Sequence, residues 1–174
     1  MNPNFTLEVI GPNPPEAVLA LQSDNIFIRG FVESLDEYYR KAHISVAPLR
    51  FGAGMKGKIG EALSFGLPVV TTAIGAEGFG LSPGENILVA ETALDFAESI
   101  LQLSQDNQLY KKISTNGYHF IKENYSEEAT RARLSKLIDQ ALLIPPKKLA
   151  FPTRLSLWLQ FIYNRHIGWR FQHV

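Results

Sequence analysis

The chain contains no cysteine, which excludes disulfides, thiolate metal sites and a cysteine nucleophile, and fits a reducing compartment. No apolar run approaches the ~20 residues needed to span a bilayer, and the N-terminus lacks the charged-then-apolar pattern of a signal peptide. The expectation is a cytoplasmic domain. Asp-x-Asp triplets are absent, so no metal-diphosphate clamp is expected. His43, His119, His166 and His173 are scattered without ligand spacing, so no metal site is expected either. Ser64 lacks the nucleophile-elbow context of a serine hydrolase. Carboxylates also run out: after Asp139 there is none, while Lys147, Lys148, Arg154, Arg165 and Arg170 follow, leaving 12 basic against 17 acidic residues before them. A body of that sign is not a nucleic-acid-binding surface, and no nucleic-acid partner is expected.

What the chain does have is enough apolar content, 45% of 174 residues, for one domain with a real core. Its most informative stretch runs from His43 to Thr72. Ile44, Val46 and Pro48 close an apolar strand, Phe51 to Lys58 form a glycine-rich loop, Lys58 to Phe65 a helix stopped by Gly66 and Pro68, and Val69 to Thr72 the next strand. This is a βαβ unit. Gly52, Gly54 and Gly57 let the backbone approach a ligand, and the amides of Met55, Lys56 and Gly57 are then the free donors of a helix N-terminus, which favours an anion. Arg50, Lys56 and Lys58 add three cations with no acid among them. Such a loop suits phosphate.

Ile59, Ala62, Leu63 and Gly66 form the stripe that should face the sheet, and Glu61 points roughly 150° away from it. Two readings of Glu61 follow: a solvated glutamate paired with Lys58, or an acceptor of hydrogen bonds from a ligand lying along the loop. The loop as a whole has a second reading as well. Gly52-x-Gly54-x-x-Gly57 also fits a dinucleotide fingerprint, with Glu77 about twenty residues on as the ribose acid.

Ala47-Pro-Leu-Arg-Phe-Gly-Ala-Gly-Met-Lys-Gly-Lys-Ile-Gly-Glu-Ala-Leu-Ser-Phe-Gly-Leu-Pro-Val-Val-Thr-Thr, followed by Ile74-Gly-Ala-Glu-Gly, resembles the C-terminal domain of retaining GT-B glycosyltransferases of the family 4 type (group 1). The match runs from about Leu7 to about Tyr125-Ser126. The resemblance implies a Rossmann-like parallel sheet with helices on both faces, one half of a GT-B fold, with extra C-terminal helices. It implies a nucleotide-diphosphate sugar as substrate, no cofactor, and transfer with retention of configuration. In that family two glutamates separated by seven residues flank the donor. Glu61 matches the second, which holds the ribose hydroxyls, but the first falls on Ala53. The sugar contacts then shift to backbone amides or Lys56, and Lys56 and Glu61 become the candidate catalytic residues. Arg50, Gly52, Gly54, Met55, Gly57, Lys58, Glu61, Thr72, Gly75 and Glu77 are the candidate donor-binding set. The family's first β-α unit, with its Arg and Lys for the diphosphate, has no counterpart before Phe5, and the N-terminal GT-B domain with the acceptor site is an expected partner. These residues alone are expected to be inactive. A degenerate, non-catalytic module used for partner binding is the other reading, favoured by Ala53.

In chain order, Phe5 to Ile10 reads as a strand, Ala17, Val18 and Leu21 as one side of a helix, and Ile26 to Ile28 as a strand. Ser34 with Glu37 reads as a capping box. Ala73 to Asn86 reads as a loop, Ile87 to Ala90 as a last strand. Three helices follow, begun by Thr92, Asp106 and Ser126, the last with Leu134, Leu137, Ile138 and Ala141 as its stripe. Pro145-Pro146 separates residues 1–144 from an aromatic, basic extension, 145–174. Leu155, Trp158, Leu159 and Ile162 there have helical spacing, and either pack on protein or meet an anionic membrane surface.

Overall fold

The computed structural model describes residues 5–145 and 151–166, with side chains of the second stretch described from 153 to 163. Pro146, Lys147, Lys148, Trp169, Arg170 and Phe171 of the expected extension lie outside the described residues. The order is β1 (Leu7–Ile10), α1 (Glu16–Leu19), β2 (Ile26–Gly30), α2 (Asp36–Lys41), β3 (Ser45–Ala47), α3 (Gly57–Ser64), β4 (Val69–Thr71), α4 (Ala73–Ala76), β5 (Leu88–Val89), α5 (Ala93–Gln105), α6 (Asn107–Tyr125), α7 (Glu127–Leu143) and α8 (Phe151–His166). Two compact units divide it, Met1–Ala129 and Thr130–Val174.

In the first unit all strand pairs are parallel, in two separate ladders, β1-β2 and β3-β4-β5. β4 is the central strand of the larger sheet, and Val69, Val70 and Thr71 have no exposed surface, as expected of a parallel strand covered on both faces. On one face Val69 and Ala47 pack with Ile59, Ala62 and Leu63 of α3 and Ile121 of α6. On the other Val70 packs with Leu103 and Ile113. Thr71 is polar yet fully buried because its Oγ1 donates to the Ala47 carbonyl at 2.7 Å, tying β4 to β3.

The smaller ladder is held by polar pairing. Arg29 on β2 donates from Nε and Nη2 to the two oxygens of Glu8 on β1, at 2.6 and 3.0 Å. That hydrogen bonding holds the Glu8 carboxyl below its usual value. None of the residues 5–30 is fully buried.

Several local expectations change. Ser34 does not cap a helix at position 34. Leu35 takes a helical conformation (φ −89°, ψ −10°), so α2 starts at Asp36, whose N–H donates to Ser34 Oγ, and Glu37 pairs instead with Lys41 at 3.3 Å. The α1 helix is only four residues long and leaves Leu21 at 59% exposure. In β3 it is Ala47 that is buried, while Val46 is 37% exposed. Val46 lies beside Val70, and the cover that encloses Val70 does not reach the strand at the edge. Residues 73–76 form the short helix α4 rather than loop, because Thr72 accepts the Gly75 N–H. Thr92, Asp106 and Ser126 do start helices, Thr92 through a capping box with Asp95 that holds the Asp95 carboxyl down.

Gly75 is placed by packing. A methyl there would overlap the Thr71 hydroxyl, and Ile59 Cδ1 stands 3.2 Å from the same point. Thr71 cannot turn away without giving up its bond to β3. Gly75→Ala should destabilise the domain by about 1–3 kcal/mol, the usual range for overpacking a filled core. Urea unfolding checks this; an unchanged midpoint would show that the α3, α4 and β4 junction has slack.

Candidate functional site

Helix α3 builds the site because its two ends are treated differently by the sequence. Its apolar face is clamped on the sheet, and its N-terminus emerges from the glycine-rich loop. Gly52 and Gly54 adopt φ of 135° and 69°, conformations that other residues rarely take, and these fold the loop back on itself. Lys56 is the N-cap residue and gives no side-chain cap. Among the described residues the N–H groups of Met55, Lys56, Gly57 and Lys58 donate to no acceptor, while the Lys56 carbonyl receives Ile59 and Gly60. Four donors without a described partner therefore lie at the positive end of the helix dipole.

The Lys56 side chain turns back under the loop, its Cε 3.5 Å from where a Cβ of Gly52 would stand. It is 8% exposed, and its Nζ forms no hydrogen bond with any of the described residues. The nearest carboxylate is Glu77 Oε2 at 3.6 Å, on a side chain that is 65% exposed. A buried ammonium with a partial counter-ion and no acceptor is costly to keep, and an anionic ligand would complete it.

Glu77 is brought there by a chain of contacts starting at α3. A Cβ on Gly60 would stand 3.1 Å from the Phe79 ring, so Gly60 gives that ring its place. Phe79 is 8% exposed, meets the Tyr125 ring edge-on at 5.3 Å, and its carbonyl accepts the Tyr125 hydroxyl at 2.7 Å. Just before it Gly78, at φ 90°, lies so close to Met55 N that a Cβ would be 3.0 Å away. The segment after β4 is thus laid on the glycine-rich loop.

On the outer side of α3, Glu61 borders a hollow of about 360 Å³ with Val32, Glu33, Ser34, Leu35, Asp36, Tyr39 and Phe65. Glu61 Oε2 accepts the Tyr39 hydroxyl at 3.4 Å, and the Tyr39 and Phe65 rings lie 5.3 Å apart. Glu61 Oε1 is 3.9 Å from the Cβ position of Gly57, which joins the hollow to the start of the helix. Burial, and then the Glu61 carboxylate, push the Tyr39 phenol up from 10.0 to about 12. The site is polarised: cations and amides at the loop, three carboxylates around the hollow. The first part fits an anion, the second a neutral group rich in hydrogen-bond donors. Among the described residues no three such side chains could hold a metal ion.

Of the residues singled out from sequence, Lys56, Gly57, Glu61 and Glu77 come together around α3, with Gly52, Gly54 and Met55 shaping the loop. Arg50 and Lys58 are exposed near it. Thr72 and Gly75 are turned to the fold: the Thr72 hydroxyl donates to the Leu49 carbonyl at 2.7 Å and accepts Gly75 N–H at 3.2 Å. Tyr39, Phe79 and the 32–36 turn were not identified from sequence. The signal for Tyr39 was its place on the helix preceding the βαβ unit; nothing local pointed to the others.

The sequence model of the Glycosyl transferases group 1 family matches residues 1–106. This chain belongs to that family. The group 1 chain is also 34% identical over 104 residues to an uncharacterized 44.6 kDa protein in the cps region of Klebsiella pneumoniae, a match covering 60% of the chain and 27% of that relative. It thus spans about a quarter of that relative's length. Among solved structures, the C-terminal domain of the glycosyl transferase group 1 family protein LpcC of Francisella tularensis matches with a TM-score of 0.61 and 25% identity, covering 72% of each chain. Anabaena HepE in complex with UDP-glucose matches at 0.68 and 16% identity, over 79% of this chain and 42% of that one. Helices on both faces of parallel strands are the Rossmann-like half of such folds.

Because the Tyr39 proton is held more tightly in the folded group 1 chain than in the unfolded one, the stability it contributes is complete below pH 10.0 and is lost as pH rises towards about 12. Glu61→Gln should lower the Tyr39 ionisation without returning it to 10.0, since burial remains. Phenolate absorbance, read as the difference from Tyr39→Phe, measures it; an unmoved titration would separate the two side chains.

Proposed function

We propose that the chain is the donor-binding half of a glycosyltransferase that moves a sugar from a nucleoside-diphosphate sugar to an acceptor with retention of configuration. The observation that carries this is the buried Lys56 ammonium, which like the four amides beside it has no acceptor among the described residues, about one and a half helical turns from Glu61 on the wall of a hollow. The diphosphate meets the amides and Lys56, and the ribose hydroxyls donate to Glu61. Nucleotide complexes of structural relatives support the assignment, among them HepE with UDP-glucose and the pneumococcal O-GlcNAc transferase GtfA with UDP and GlcNAc. As the bond from the anomeric carbon to the diphosphate breaks, its electron pair leaves with the diphosphate, whose growing charge is stabilised by donors already in place. An acceptor hydroxyl then joins the same face of the sugar through its oxygen and passes its proton to the diphosphate oxygen that has just left.

The acceptor side belongs, on this reading, to an N-terminal domain. The division of the sheet supports it. In the usual doubly wound order the first strand lies between the second and the fourth, and a ladder split into β1-β2 and β3-β4-β5, with Val46 exposed on β3, is the pattern expected when that strand is supplied by another segment.

Glu61→Ala should weaken UDP binding by one to two decades, the equivalent of about 1.5–3 kcal/mol for a hydrogen bond to a charged group. Lys56→Met should weaken it at least as much while leaving urea stability equal or higher, because the variant removes an ammonium the ligand-free protein does not satisfy. Calorimetric titration with UDP and urea unfolding read the two effects. A Lys56→Met protein that binds UDP like the parent but unfolds more easily would assign Lys56 to the fold, and a flat titration of the parent chain at millimolar UDP would favour a degenerate module.

A further inference from the structure

Glu61 and Glu77 are the two carboxylates of the donor-binding set read from the sequence, and the structure gives them opposite surroundings. Glu61 borders the hollow, whereas Glu77 stands at the anion site. Among the described residues Glu77 is the only acid within 4.0 Å of Lys56 Nζ, at 3.6 Å, and Nζ makes no hydrogen bond there. Their contact is one of charge alone, with no directional bond to keep it. Exposure is also unequal between the two. Lys56 is enclosed, while Glu77 has solvent on most of its side chain and can turn into it. The main chain on either side of Glu77 is fixed meanwhile. Its N–H donates to the Ala73 carbonyl at 3.1 Å, Gly78 abuts Met55 N, the first of the four amides, and the Phe79 carbonyl accepts the Tyr125 hydroxyl at 2.7 Å. The carboxylate can leave Lys56 by its own torsions, with the segment after β4 still in place.

We infer that Glu77 is a displaceable counter-ion, which neutralises Lys56 in the empty site and yields it to an entering diphosphate. The inference rests on the donor site proposed above and gives Glu77 a role opposite to that of a ligand: it competes with the substrate's anionic group for one ammonium. That competition sorts ligands by charge. Repulsion from a carboxylate grows with the charge that approaches it, and a nucleoside diphosphate has a free terminal phosphate that ionises once more, with a pKa near ~6, where a nucleoside-diphosphate sugar is esterified. Glu77 therefore weakens the leaving nucleoside diphosphate more than the donor it came from, which favours exchange of spent nucleotide for fresh donor. Arg50 and Lys58, exposed near the loop, are cations and have no such effect.

The test is calorimetric titration of the whole chain and its Glu77→Gln variant, at a pH that ionises the terminal phosphate, with UDP and with its β-methyl ester. The ester blocks the terminal charge and brings no sugar. Glu77→Gln should bind UDP about fivefold more tightly, the effect of one partly exposed charge pair, and the ester about threefold, in keeping with roughly two charges against three. Urea unfolding of the ligand-free variant should show a lower midpoint than the parent, because Lys56 has lost its counter-charge. Lower stability with higher affinity is a combination that a merely structural glutamate does not give. A Glu77→Gln chain that binds UDP no more tightly than the parent, or that gains equally for UDP and the ester, would overturn the inference and leave the donor site standing. A parent chain that binds neither ligand at millimolar concentration would overturn both.

Discussion

Ile59, Ala62 and Leu63 have no exposed surface, and that burial fixes the axis of α3 against β4 while leaving its first turn unpaired. Full burial of each large apolar side chain is worth about 1.5–3 kcal/mol, enough to hold a helix of eight residues that would not persist alone. The cost falls on the other end, where four amides and the Lys56 ammonium find no acceptor among the described residues. A fold that clamps one face of a helix and leaves its N-terminus open stores a preference for anions there.

The rest of the first unit keeps that end exposed and shaped. Gly60 admits Phe79, Tyr125 pins Phe79 from α6, and Gly78 then rests on Met55, which delivers Glu77 to Lys56. From the other side α2 brings Tyr39 and its partner Phe65 beside Glu61, an exposed residue whose carboxylate borders an open hollow that Glu33 and Asp36 also line. Lys56 and Glu61, about one and a half turns apart, face opposite electrostatic surroundings. That separation underlies the proposed placement of a charged diphosphate at Lys56 and a neutral ribose at Glu61.

The second unit is organised by exposure instead of burial. Leu134, Leu137 and Ile138 on α7 are 55%, 61% and 49% exposed, so the stripe read from the sequence is not buried, and α8 is apolar around much of its surface. The compact first unit ends at Ala129, within α7 and ahead of the Pro145-Pro146 boundary read from the sequence.

Sequence alone determined the βαβ unit, the inward stripe of α3, the outward direction of Glu61, and the helix starts at Thr92, Asp106 and Ser126. All of these depend on periodicity, glycine and capping, which act within a few residues. The tertiary structure alone decided that Thr72 and Gly75 serve packing, that Tyr39 reaches Glu61 across 22 residues, that Glu77 meets Lys56, and that the sheet is divided. These depend on which surfaces meet in space. Lys56, Lys58 and Arg50 look alike as letters in one loop, and only the closing of the chain over Lys56 made one of the three buried and in need of an anion.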